Sequence, residues 1–96
     1  MKNITDKKIT RYLEITEKAL EKVKMCAPSR SYNRKIAEDF LVMARSYHSD
    51  AGHFYEKGDY VNAFACVNYA HGWLDAGARL GLFDVGEDDK LFTLAE

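Results

Sequence analysis

Ninety-six residues with 47% apolar and 12% aromatic content suffice for one hydrophobic core, so folding as a single domain requires neither a metal nor a disulfide. The two cysteines, Cys26 and Cys66, stand in no metal-ligand or redox spacing, which leads to the expectation of free thiols in a reducing, cytoplasmic compartment. The net charge of −1 hides an asymmetry, since residues 1–35 hold ten Lys and Arg against four Asp and Glu while residues 36–96 hold four against eleven.

The first predicted element is a helix over about 6–25. Ile9, Leu13, Leu20 and Val23 recur at three- and four-residue spacing, widened by Tyr12, Ile15 and Ala19, with Glu14, Lys18, Glu21 and Lys22 on the opposite face. Residues 1–8 lack the apolar core of a signal, and no apolar run reaches the roughly 18 residues of a membrane span. Neither export nor membrane insertion is expected. Pro28, the only proline, sits in a Cys26-to-Ser31 break and predicts a turn.

A second helix is expected over about 32–57, capped near Ser31 to Asn33, with Ile36, Phe40, Met43, Ala44, Tyr47, Ala51 and Phe54 on its buried face. Gly58 supplies a left-handed stop and Asp59 an immediate cap, which leaves room only for a tight helical hairpin. The third helix, about 60–80, is apolar around much of its circumference and should be the most buried. Ala63, Ala70 and Gly77 form a seam of small residues every seven positions, and Gly81 ends the helix. Residues 83–96 read as an extended, non-helical tail with apolar residues Phe83, Val85, Leu91, Phe92 and Leu94 around the acidic Glu87, Asp88 and Asp89. Short connections between long helices predict an all-α, antiparallel up-down-up three-helix bundle in residues 1–82.

Two resemblances bear on this chain. The stretch from Ala51 through Gly58 and Asp59 to Ala63 resembles the hairpin corner of tetratricopeptide repeats, but a solenoid needs about three stacked repeats and only one corner occurs. A longer stretch, Glu56 to Ala65 (EKGDYVNAFA) followed by Asn68 to Phe83 (NYAHGWLDAGARLGLF), resembles an archaeal family of uncharacterised proteins, domain of unknown function number 357. That resemblance implies a three-helix fold and an archaeal, cytoplasmic origin. It implies no activity and no site residues.

Among polar patterns, Asn68, His71, Asp75 and Arg79 fall at steps of three, four and four and so line one stripe of the third helix. These are the candidate ligand-binding residues. His71 and Asp75 could bind a metal or orient an imidazole, and Arg79 could hold an anion; the alternative is a hydrogen-bonded ladder to a neighbouring helix or subunit. A pair of ligands falls short of the three that a working metal site wants, and His48, Asp50 and His53 would join it only if the second and third helices were in register. No metal, cofactor or catalytic residue is assigned. The nuclease-type pairing of arginine and histidine is absent, because Arg45 and His48 stand too close together. A non-catalytic RNA contact could use Lys2, Lys7, Lys8, Arg11, Arg30, Arg34 and Lys35, with Tyr12 and Tyr32 for stacking. Nucleic acid is the less favoured partner, since Glu14, Glu17 and Glu21 interrupt the basic run.

Taken together, the sequence favours a non-enzymatic protein-interaction or self-association module, a homo-oligomer or the partner of another protein. The alternative is a protein that binds a small molecule, metal or RNA through the polar stripe or the basic N-terminal segment.

Overall fold

A computed structural model describes residues 4–85 of the chain. Within them lie α1 (Asp6–Lys22), β1 (Lys24–Met25), α2 (Tyr32–Glu56), α3 (Tyr60–Arg79) and β2 (Phe83–Asp84). The helices form the expected all-α, up-down-up bundle, and β1 and β2 pair antiparallel, Lys24 opposite Asp84 and Met25 opposite Phe83.

Each helix starts where a short polar side chain can accept from an orphan amide. The hydroxyls of Thr5 and Ser31 take the amides of Lys8 and Arg34, both at 3.1 Å, and Asp59 takes that of Asn62 at 3.2 Å. Two helices stop in the same way. Gly58 (φ 80°) and Gly81 (φ 76°) adopt the left-handed conformation, and the next amides reach back, Asp59 to the Phe54 carbonyl and Leu82 to that of Gly77, both at 2.9 Å. Asp59 therefore closes α2 with its amide and opens α3 with its carboxylate. That double use sets the tight corner between them.

The corner also fixes which residues meet. Ala37, Ala44 and Ala51 recur every seven residues back from the turn, as Ala63, Ala70 and Gly77 do forward from it, and all six are buried. Equal spacing on antiparallel helices brings Ala51 level with Ala63, Ala44 with Ala70, and Ala37 with Gly77. With no bulk on either side, the two backbones approach closely and α2 and α3 make the tightest pair in the fold.

Helix α1 lies across this hairpin, burying Ile9, Thr16 and Ala19. Its N-terminal end is pinned by Asp6, whose carboxylate accepts from the Tyr55 hydroxyl at 2.5 Å and the Tyr60 hydroxyl at 3.0 Å. The two rings stack at 5.6 Å across the corner. The hydrogen bond to Asp6, then burial and the carboxylate's charge, pushes the Tyr55 hydroxyl up from its ordinary 10 to about 12, and Tyr60 moves the same way. Holding a phenol protonated adds stability that is whole below pH 10 and lost as pH rises through about 12. The melting temperature is expected to fall over that interval, and to fall less in a Tyr55→Phe, Tyr60→Phe variant; equal losses would show that the latch contributes nothing.

Three expectations need correction. Helix α1 ends at Lys22, short of the expected 25, because Val23 turns extended and Lys24 and Met25 enter the strand pair instead. Met43 was expected on the buried face of α2 but is exposed, Ala37 and Leu41 taking up that surface. The apolar girth of α3 is not fully enclosed: Val61 and Tyr69 are 64% and 62% exposed, since two neighbouring helices cover only part of a third. Its inner face is buried as expected, with Val67, Ala70 and Leu74 closed to solvent.

Beyond Gly81 the chain turns back under the bundle. Leu82, Phe83 and Val85 are buried and pack with Ala19, Ala37, Ala44 and Leu74. The ring of Phe83 fills the space left by Gly77, where an added Cβ would lie 2.2 Å from its Cε2 atom. These tail residues cover the chain's own core; Leu91, Phe92 and Leu94 lie outside the described residues. No helix among the described residues is long and apolar enough to cross a membrane.

Candidate functional site between the first and third helices

Between α1 and α3, which run parallel, a groove opens at the surface. It has a volume of about 750 Å³ and is lined from α1 by Thr5, Lys7, Lys8, Arg11, Tyr12, Ile15 and Thr16. The α3 wall is Val67, Asn68, His71, Gly72 and Asp75. Three of the four candidate residues thus come together in one place. Arg79, one turn beyond Asp75, is exposed and outside the lining.

Periodicity explains the two walls. Lys7, Lys8 and Arg11 are related by steps of three and four and so share a face of the first turns of α1, while Tyr12 and Thr16 continue the adjoining stripe toward the core. Lys8 extends over aromatic rings, its Nζ 5.2 Å from the centre of Phe64 and 6.0 Å from that of Tyr12. Those two rings pack against each other at 5.2 Å and hold the wall in place. Among the described residues none of the three cations makes an ion pair.

His71 lies between two partners. Its Nδ1 stands 3.4 Å from the Thr16 hydroxyl and its Nε2 3.6 Å from the Asp75 carboxylate. The order hydroxyl, imidazole, carboxylate is that of a nucleophilic triad, but the geometry is loose and Thr16 is only 2% exposed. The arrangement ties α1 to α3 and fixes the imidazole on the groove wall.

The other polar residues do not join it. His48 donates from Nε2 to the Leu13 carbonyl at 3.1 Å and so binds α2 to α1, while His53 is exposed near the end of α2. No three His, Cys, Asp or Glu side chains among the described residues are grouped to hold a metal ion. Burial, and then the charges of Asp50 and Asp59, push the Cys66 thiol up, away from a reactive thiolate.

Several lining residues carry no signal in the sequence. Thr16 follows Tyr12 by one turn on the inward stripe of α1, the one clue that a hydroxyl faces the hairpin. Gly72 is a second such residue: an added Cβ would meet nothing within 4 Å, so packing does not require a glycine there. Within a helix glycine costs about 1 kcal/mol relative to alanine, and any side chain at this position would stand at the groove.

The family described as Protein of unknown function (DUF357) matches residues 11–83, which include most of both groove walls. Neither the curated proteins nor the solved structures compared with the chain provide a match.

Proposed function

The chain belongs to the DUF357 family, and we propose that it is a non-enzymatic binding module that works through the groove between α1 and α3. One observation carries this reading. The basic face at the start of α1 and the polar stripe of α3, more than fifty residues apart in sequence, meet across a single opening of about 750 Å³. That size is typical of small-molecule sites, and the lining combines apolar surface from Tyr12, Ile15 and Val67 with a few polar groups. The buried Thr16 hydroxyl and the tethered imidazole favour binding over catalysis.

Amide chemical shifts of the ¹⁵N-labelled chain, recorded against a panel of anionic, cationic and neutral metabolites, test the reading. At least one compound is expected to move amides of residues 5–16 and 67–75, and Gly72→Trp, which fills the groove, should abolish that response. Shifts confined to other surfaces, or none with any compound, would refute it.

Self-association is a second reading, favoured by the outer face of α2 and α3. There Phe40 meets Trp73 at 5.0 Å and Tyr47 meets Tyr69 at 5.4 Å, and the Tyr69 ring is largely exposed. A second copy covering this face would bury a continuous aromatic surface. Sedimentation should then give a dimer that Tyr69→Glu converts to monomer; a wild-type monomer at all concentrations would remove this reading.

A further inference from the structure

The geometry points to an organic phosphate as the occupant of the α1–α3 groove, its phosphate held by Lys7, Lys8 and Arg11 and its body lying against Tyr12, Ile15 and Val67. This rests on the groove being the working surface and adds the chemical class of what enters it.

Charge placement is the first argument. Three cations share one face at the start of α1, no carboxylate neutralises them among the described residues, and like charges at such spacing repel each other. Lys8 is held in position over Phe64, and the positive end of the α1 dipole adds to the same field. An anion gathers these charges into one favourable arrangement. Phosphate suits them best among common anions, since a planar guanidinium and two ammonium groups can share its several oxygens.

The second argument is the gradient along the groove. Thr16 is level with His71, nine residues and so about 14 Å from Lys7, and Asp75 lies a further turn on. Among the lining residues the cations therefore stand at one end, and Asp75 lies at the other. A small molecule with phosphate at one end and a neutral, hydroxylated or heterocyclic body fits that gradient. Asn68 and the imidazole of His71 line the stretch where that body would lie, and Gly72 leaves it room.

Titration of the labelled chain with ADP, ribose 5-phosphate, inorganic pyrophosphate, adenosine and sulfate tests the assignment, with amide shifts as the readout. ADP or ribose 5-phosphate should move amides on both walls, and whichever binds more tightly identifies the body as nucleoside or sugar. Pyrophosphate should move those of the first turns of α1 alone, and adenosine should bind at least tenfold more weakly than ADP. Replacing the exposed Lys7 and Arg11 together, Lys7→Gln and Arg11→Gln, removes two charge-assisted contacts and should weaken the organic phosphate at least tenfold, with the circular dichroism unchanged. Sulfate binding as tightly as the organic phosphates would overturn the proposal in favour of unspecific anion attraction. So would a single-stranded RNA 12-mer that displaces ADP at lower concentration. If the phosphates are silent while another metabolite moves the groove amides, this inference fails and the groove reading stands; if nothing moves them, both fail.

Discussion

Phe83→Ala is expected to lower the stability of the fold by about 3–5 kcal/mol, the range for truncating a buried aromatic. The ring is 3% exposed and is wedged against Gly77, beneath the end of the α2–α3 seam. Among its neighbours Ala19, Ala37 and Ala44 have no bulk to refill the space, and Leu74 is already fully buried. Gly77→Ala sharpens the test. Helix propensity alone makes that change stabilising by about 1 kcal/mol, while a Cβ 2.2 Å from the Phe83 ring costs about 1–3 kcal/mol through overpacking. In the wild-type background the clash should win and Gly77→Ala should destabilise. In the Phe83→Ala background the ring is gone, and the same change should stabilise. Denaturant unfolding of the four proteins measures this reversal of sign, and a Gly77→Ala effect identical in the two backgrounds would show that the ring and the glycine do not touch.

Leu74→Ala is expected to cost about 3 kcal/mol, with a fall in melting temperature of roughly 12–24 °C for a domain of this size. Leu74 is closed to solvent and stands where all three helices meet, packed with Ala19 of α1 and Ala37 and Ala44 of α2. Collapse around the vacancy is limited by the seam. The α2 and α3 backbones are already in close approach, so neither can move further in to fill it. Tyr69→Ala, on the same helix but largely exposed, should change stability by no more than about 0.5 kcal/mol. Comparable losses at the two positions would mean that α3 is not oriented as described.

These effects trace back to features with very different visibility in the sequence. The corner between α2 and α3 was legible from Gly58, Asp59 and the seven-residue spacing of Ala63, Ala70 and Gly77, which are local signals, whereas the matching seam of Ala37, Ala44 and Ala51 on α2 was masked by the larger apolar residues around it. The end of α1 was not. Whether Lys24 and Met25 continue a helix or form a strand depends on Phe83 and Asp84 returning alongside them, and no local pattern encodes a pairing across some sixty residues. Met43 failed for a related reason: helical spacing defines a stripe, but the tight alanine seam rotates α2 so that Ala37 and Leu41 take the inner positions.

The groove shows the same division. Its α3 wall was visible as the stripe Asn68, His71 and Asp75, and its α1 wall as the basic run containing Lys7, Lys8 and Arg11 with Tyr12. What the sequence withheld was the offset between α1 and α3, since fifty-five residues and two turns separate Thr16 from His71. Without that offset the two halves read as unrelated features, one a ladder or a weak metal pair, the other an RNA contact. Arg79 continues the stripe in sequence but lies one turn beyond Asp75, where the lining of the opening ends.

Everything proposed about binding depends on α1 docking against α3 in this register. Nuclear Overhauser contacts in the labelled chain test that docking directly. Strong contacts are expected between the Thr16 methyl group and the His71 ring, and between the rings of Tyr12 and Phe64. Their absence, with the contacts between α2 and α3 intact, would place α1 elsewhere on the hairpin and leave no groove to occupy.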